Sequence, residues 1–443
     1  MNIKLSDHFN YKRIIKFTLP SVAMMIFTSI YGVVDGFFVS NYAGKTAFAS
    51  VNLIMPFLMI LGCIGFMFGS GGSALVSKIF GEGDKKKANE TFSLIVYFSF
   101  VLSVIISVLG IIFIESVSKM FGAKGDLLKG CVDYGTIILI SLPAFVLQIE
   151  FQSFFITSEK PNLGFLVTVI SGMTNIVLDF LLVGVFRLGI KGAASATLIS
   201  QFVGAFLPII YFIRKNTSIL RFTKTKYDGA SILKTCTNGL SELMSNISMS
   251  VVGILYNMQL MKYEGENGVA AYGVLMYVSM IFAAIFFGYS IGVSPVVGYH
   301  FGAKNHKELK NILKLSVVII GVSSAFMTIM SLLLAYPLSY VFVSYDKTLF
   351  DITLRGFNIF SLSFLFAGYA IFASAFFTAL NDGVTSAIIS FLRTFIFQIA
   401  AVIILPMIWG MNGIWISIVV AELMAVLISL VFIVVKRSKY KYY

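Results

Sequence analysis

The sequence predicts an all-α, polytopic membrane protein with twelve transmembrane helices in two six-helix bundles related by a pseudo-twofold axis. The 443-residue chain is 58% hydrophobic and 12% charged, whereas soluble domains carry about 25% charged residues. Its apolar residues fall into segments long enough to span a bilayer. The second half of the chain also resembles the first.

A membrane-spanning helix needs about 20 predominantly apolar residues. The segments that meet this requirement are 14–40, 51–77, 89–114, 127–157, 162–185, 190–213, 232–261, 269–299, 311–335, 348–378, 384–408 and 411–435. Every connection is short except a polar, basic stretch at the centre. We therefore expect a first bundle over 1–215, a cytoplasmic linker over 216–231 and a second bundle over 232–443.

Basic residues predict the orientation of these spans. Most of the 33 lysines and arginines lie in loops that face one side if both termini are cytoplasmic. The net charge of +13 is thus explained by membrane topology, and no nucleic-acid partner is expected. Three scattered cysteines predict neither a disulfide nor a metal site. We expect a monomer in the plasma membrane with no cofactor.

The two halves of the chain match at a shift of 221 residues. Gly44 then corresponds to Gly265, and Gly189 corresponds to Gly410. Because each half holds an even number of spans, both halves enter the membrane with the same orientation and are related by an axis along its normal. A substrate path would run between the two bundles.

Two carboxylates lie within the predicted spans of the first half. Asp35 and Asp179 each lie about 8 Å from the outer end of their span. Asn175 shares a helical face with Asp179, and Ala193 and Thr197 of the sixth span fall at the same level. Carboxylate, amide, hydroxyl and carbonyl oxygens suit a hard cation, and paired carboxylates favour sharing a proton. We predict a site for Na⁺, H⁺ or both, since charges at this depth are costly and typically functional.

The repeat provides an internal control for this site. At the shift of 221, the four polar side chains correspond to Tyr256, Ile396, Ala400 and Ile418. Structural residues would tend to be kept in both halves. The asymmetry therefore favours a functional site over the alternative, separately hydrogen-bonded structural residues.

Other polar residues within the spans leave alternatives open. Arg393 and Glu422 either form a structural pair or serve another role. Gln148, Glu150 and Gln152 are candidates for a substrate cavity, although Glu150 also suits a pairing with Lys160. No role is assigned to Glu242, which suits an interfacial position, or to Arg355. Pro20 predicts either a hinge or a static kink in the first span, and the small residues of 62–74 predict close helix packing.

The chain resembles the multidrug and toxic compound extrusion (MATE) family from Lys12 to Lys436. The stretches that carry the resemblance are YGVVDGFFVSNYAG (31–44), the glycine-rich run 65–89, TNIVLDFLLV (174–183) and GIKGAASATLIS (189–200). Within the family it is similar to the DinF-like branch, whose cation site lies in the N-terminal bundle. The eighth span has no carboxylate, so a second cation route through the C-terminal bundle is not expected.

This resemblance implies a V-shaped pair of bundles that exports amphipathic, often cationic small molecules in exchange for Na⁺ or H⁺, without enzymatic activity. Carried over by position, the family's cation site falls on Asp35, Asn175, Asp179, Thr197 and the backbone carbonyl of Ala193. The family's first-span proline falls on Pro20. The alternative is an exporter or flippase of a lipid-like or peptide metabolite on the same scaffold. A receptor or channel is disfavoured by the short inner loops.

Overall fold

A computed structural model describes residues 3–442, and these residues form helices and loops without a β-strand. The helices of the first half are α1 (Tyr11–Phe38), α2 (Lys45–Gly81), α3 (Lys85–Met120), α4 (Gly125–Thr157), α5 (Pro161–Leu178) and α6 (Gly189–Ile213). Those of the second half are α7 (Gly229–Gly302), α8 (His306–Val343), α9 (Lys347–Phe360), α10 (Phe364–Ala379), α11 (Gly383–Phe391), α12 (Phe397–Trp409) and α13 (Met411–Tyr440). The domain ends predicted at residues 1 and 443 lie outside the described residues.

The helices confirm the twelve-span prediction. Eleven continuous helical segments of the described chain are long and apolar enough to cross a membrane. One of them, α7, has 74 residues, a length of about 111 Å against a hydrocarbon core of about 30 Å. Gly265 interrupts α7 with a φ of 62° and a ψ of −144°. This segment therefore contains two spans, the seventh and eighth, which meet at Gly265.

Two further spans contain a change of helix type. A 3₁₀ turn at Ser361–Ser363 joins α9 to α10 within the tenth span. A π-helical turn at Leu392–Ile396 joins α11 to α12 within the eleventh. By contrast, α1 continues through Pro20 without a break, and the hinge role of this proline stays a prediction.

The glycines that the two halves share occupy backbone positions that other residues rarely adopt. Gly44 and Gly265 have φ angles of 95° and 62°, and Gly189 and Gly410 have φ angles of 59° and 56°. Positive φ is accessible to glycine at little cost because it lacks a Cβ atom. The repeated glycines are therefore explained by chain reversals at matching points of the two halves.

The two halves approach each other closely where α2 crosses the first part of α7. A Cβ atom on Gly71 would collide with the backbone carbonyl of Thr235, and one on Gly239 would collide with the carbonyl of Met67. Small residues permit such backbone approach in membrane proteins. The close packing predicted for 62–74 is thereby confirmed.

A side chain of the second half, held in place by polar contacts, bonds to the first half next to this crossing. Asn381, in the turn between α10 and α11, donates from Nδ2 to the carbonyl of Ala74 at 3.1 Å. Its Oδ1 accepts from Asn238 at 2.7 Å, and its backbone carbonyl accepts from Lys234 at 2.7 Å. This end of the molecule also carries the irregular segment 214–228 between α6 and α7.

Candidate functional site

Asp35 of α1 and Asp179 at the end of α5 meet inside the first bundle. Their carboxyl groups are close enough to interact directly. Asp179 is fully buried, and Asp35 is partly buried. Two carboxylates this close cannot both be charged without a compensating proton or cation. The structure therefore creates a demand for positive charge at this point.

Both carboxylates lie where a helix changes its geometry. The chain passes from α1 into a π-helical turn at Val39–Ala43, one turn after Asp35. It passes from α5 into a second π-helical segment at Asp179 itself, which continues to Val185. Such segments shift the regular hydrogen-bond pattern and are frequent at functional sites. The departure from α-helical geometry at Asp179 and one turn after Asp35 supports a binding role.

The other predicted site residues lie on α5 and α6, which pack against each other. The amide nitrogen of Asn175 donates to the hydroxyl of Thr197 at 3.5 Å. Ala193 is buried one turn before Thr197 on the same face of α6. Oδ1 of Asp35, Oδ1 of Asn175 and both carboxyl oxygens of Asp179 are buried without a hydrogen-bond donor from the protein. Burying such oxygens unpaired is costly, so this oxygen pocket is suited to a bound cation or proton.

Two tyrosines near the oxygen pocket were missed by sequence reasoning. Tyr134 of α4 is 1% exposed and lies within electrostatic range of Asp35 and Asp179. Tyr31 lies near Asp35, and its position four residues before Asp35, on one helical face, was a usable signal. No sequence pattern links Tyr134 to the pocket, because α4 is brought there only by folding.

A narrow cavity of about 50 Å³ lies between the bundles. It meets α1 at a point that precedes Asp35 in the chain. Its walls come from α1, α2, α4, α7 and α10 and include Met24, Phe66, Gln152, Glu242 and Thr378. Among the described residues that line it, Glu242 is the only charged one. Glu242 thus faces the space between the bundles rather than the membrane interface.

Only one of the three polar residues expected along α4 lines this cavity. Gln152 does so. Glu150 instead accepts a hydrogen bond from Ser99 of α3 at 2.6 Å, and Gln148 donates to Ser171 of α5 at 3.2 Å. The expectation is corrected for these two residues because the rotation of α4 turns them into the first bundle.

Comparison with known proteins identifies the family. The family model described as MatE matches the chain twice, over residues 20–181 and 243–404. The chain belongs to the MATE family. The two matches begin 223 residues apart, in agreement with the internal repeat found at 221. It is therefore a multi-pass membrane protein of a transporter family.

The curated MATE relatives include proteins named multidrug export protein MepA. The protein from Staphylococcus saprophyticus is 26% identical over 440 residues, covering 97% of this chain and 94% of the relative. The one from Staphylococcus haemolyticus is 26% identical over 431 residues with the same coverage. Their alignments thus extend over almost the entire chain.

Solved structures of MATE proteins share the fold. A crystal structure of a MATE protein in complex with MaL6 superposes with a TM-score of 0.93 at 22% identity, over 98% of each chain. An outward-facing multidrug resistance MATE transporter of the MOP superfamily also gives 0.93 at 23% identity, over 98% of each chain. The all-α, two-bundle architecture predicted from the sequence is confirmed.

The second bundle of this MATE chain holds a buried ion pair. Nε of Arg393 donates to the two carboxylate oxygens of Glu422 at 2.8 and 3.1 Å, and Nη2 donates at 2.9 Å. Both side chains are largely buried. The pairing of Arg393 with Glu422 is confirmed by this geometry, whereas Arg355 lies on an exposed face of α9.

Proposed function

We propose that this protein is a multidrug efflux antiporter, which exports amphipathic or cationic compounds in exchange for Na⁺ or H⁺. The observation that carries the proposal is the oxygen pocket, in which Asp35 and Asp179 adjoin without a protein donor to balance them. An ion gradient supplies about 2.3 kcal/mol per charge per 100 mV. Binding and release of a cation at this pair would couple that gradient to transport.

The chemistry of the pocket supports either coupling ion. A shared proton satisfies one carboxylate pair directly. Na⁺ would be held by Asp35, Asn175, Asp179 and Thr197, with a carbonyl from Ala193, because hard cations prefer oxygen ligands. The choice between the two ions, and the assignment to the DinF-like branch, are predictions.

The cavity between the bundles supports a cationic substrate. Glu242 supplies a single negative charge among otherwise neutral lining residues. At about 50 Å³, the cavity is far smaller than the roughly 300–1,000 Å³ of drug-sized sites. Substrate binding thus requires the bundles to separate, as alternating access demands. The name of the MepA relatives, multidrug export protein, agrees with this substrate class.

Topology and assembly belong to the same proposal. The basic loops favour a plasma-membrane protein with both termini in the cytoplasm. Each chain contains a full pocket and a full cavity, so we propose that a monomer is sufficient and that its partners are small molecules and the bilayer.

Transport by purified protein in liposomes tests the proposal. A fluorescent lipophilic cation is followed under a Na⁺ gradient alone and under a pH gradient alone. Wild-type protein should transport under at least one gradient, and Asp35→Asn should not. The control is Tyr256→Phe, which changes the equivalent position of the second bundle. Gradient-driven transport by Asp35→Asn at the wild-type rate would refute the coupling site.

The alternative, export of a lipid-like or peptide metabolite, makes a different prediction about the cavity. An anionic lipid-linked substrate requires a positive charge where this cavity presents Glu242. Competition of the dye with neutral, cationic and anionic amphiphiles separates the two functions. Inhibition by anionic lipids alone would favour the alternative.

A further inference from the structure

A groove on the outer surface of the first bundle is not used by the proposed transport cycle. It lies between α3, α4 and α6 and has a volume of about 310 Å³. Its walls are apolar and include Tyr97, Phe100, Leu147, Phe206 and Phe222. The side chains of Tyr97 and Phe206 are 51% and 54% exposed, on spans whose surroundings are lipid.

The linker between the bundles closes one end of this groove. Phe222 stacks on Tyr97 with a centroid distance of 5.7 Å, and its backbone bonds to the carbonyl of Phe212 at 3.2 Å. The flanking residues are tied to the start of α3: the amide of Arg221 donates to Asn89 at 2.7 Å, and that of Thr223 donates to Ser93 at 2.9 Å. The linker is therefore built into the wall of the groove.

A basic basin adjoins the groove on the other side of Phe222. This second cavity, of about 690 Å³, is lined by residues that include Lys85, Lys86, Glu90, Arg221, Thr223 and Lys224. Its one carboxylate, Glu90, lies 3.9 Å from Lys86. Among the described residues, no carboxylate lies within salt-bridge distance of Lys85, Arg221 or Lys224.

The basin also holds an unused hydrogen-bonding group. The hydroxyl of Thr223 is buried without a partner. The apolar groove therefore leads to a region that contains unpaired positive charges and a free hydroxyl donor.

We propose that the groove and the basin together bind one anionic phospholipid of the cytoplasmic leaflet. An acyl chain lies in the groove and the phosphate headgroup lies among Lys85, Arg221 and Lys224. Charge complementarity selects this occupant, because basic pockets beside membrane helices on the cytoplasmic side favour anionic headgroups. The inference rests on the proposed orientation of the protein, and it is independent of the coupling ion.

Lipid binding to the full-length protein in detergent tests this site. Native mass spectrometry measures retention of phosphatidylglycerol and of phosphatidylcholine with identical acyl chains. Wild-type protein should prefer phosphatidylglycerol by at least about tenfold, the effect expected of two or more nearby basic residues. Equal affinity for the two lipids would overturn the proposal.

Matched variants locate the site. Arg221→Ala/Lys224→Ala should abolish the preference, whereas Lys307→Ala/Lys310→Ala removes the same charge from exposed positions at the start of α8 in the second half and should keep it. Unchanged preference in the first variant, or equal loss in the second, would overturn the site.

Ala205→Leu, which fills the groove, should weaken phosphatidylglycerol binding by about tenfold. Glycerol phosphate, which lacks acyl chains, should not compete, and competition by it would refute the role of the groove.

The outcome is distinguishable from that of the transport proposal. Asp35→Asn should retain the lipid preference, because the groove and the oxygen pocket have no side chain in common. A protein that couples ions normally but shows no lipid preference would refute this inference alone.

Discussion

The two bundles share a helical frame but fill the same place in it differently. In the first bundle, Asp35 and Asp179 adjoin with unpaired, buried oxygens. In the second, Tyr256 takes the position of Asp35, and its hydroxyl bonds to Gln398 and Ser417 at 2.7 and 2.8 Å. One bundle needs a charge from outside, whereas the other completes its hydrogen bonds from within.

The second bundle is also filled by rings and aliphatic groups at this level. The ring of Tyr256 stacks on Tyr272 with a centroid distance of 5.4 Å and an interplanar angle of 3°. Ile414 and Ile418 are buried where the first bundle has Ala193 and Thr197. The comparison shows that the two halves share their glycine turns, whereas the adjoining, unpaired carboxylates lie in the first half.

The largest effect is expected from the acidic pair. Asp179→Asn should lower gradient-driven transport by at least about 100-fold, because even outer-shell changes at metal sites cost about 10–100-fold. Tyr256→Phe should retain most of the transport. Initial uptake rates in liposomes at equal protein density measure both. If Tyr256→Phe lost coupling as completely as Asp179→Asn, the division of labour between the bundles would be wrong.

The ion pair of the second bundle should affect stability rather than coupling. Glu422→Gln leaves Arg393 buried without its partner and should lower unfolding stability by about 3–5 kcal/mol. The double variant Arg393→Met/Glu422→Leu should recover most of that loss, since apolar replacements avoid the desolvation cost. Thermal unfolding in detergent measures the change. If the correctly folded double variant lost ion coupling, the second bundle would instead have a role in transport.

Glu242, which lines the cavity between the bundles, should influence substrate choice. Glu242→Gln should weaken binding of a cationic substrate by about tenfold, or about 1.4 kcal/mol, and leave a neutral analogue unaffected. Competition assays with size-matched neutral and cationic dyes provide the measurement. Equal loss for both dyes would indicate a packing defect and not a charge contact.

The smallest effects concern two equivalent turns, one in each half, whose carboxyl groups respond to pH in opposite ways. Burial raises the pKa of Glu159, although its carboxylate accepts the amide of Leu5. Burial by itself would raise the pKa of Asp382. The hydroxyls of Tyr440 and Thr385 donate hydrogen bonds to its carboxylate at 2.7 and 2.8 Å, and these outweigh burial and lower the pKa.

The direction of each pKa shift decides how the stability of the fold changes with pH. Asp382 stabilises the fold above its ordinary pKa of about 3.9, and this contribution is lost as pH falls through the lowered value. Glu159 contributes below its ordinary pKa of about 4.3, and its contribution is lost as pH rises through the raised value. At pH 7, Asp382→Asn should thus cost about 1 kcal/mol, whereas Glu159→Gln should keep or raise the melting temperature. Equal destabilisation would contradict the comparison.

Much of the candidate site could be predicted from single residues. Asp35, Asn175 and Asp179 were identifiable because charge at membrane depth and helical periodicity are local properties of the chain. The contact of Glu150 with α3 and the position of Tyr134 near the two carboxylates could not be predicted from the sequence. Both depend on the rotation of α4 about its axis, which is set by the neighbouring helices.

The sequence by itself determined the membrane class, the twelve spans, the repeat and the depth of the two carboxylates, because span length and apolar content are written in consecutive residues. Tertiary structure decided which oxygens share a pocket, that Glu242 faces the cavity, and that the linker joins Phe222 to a groove beside unpaired basic residues. Those features depend on contacts between residues far apart in the chain, and helix packing alone brings them together.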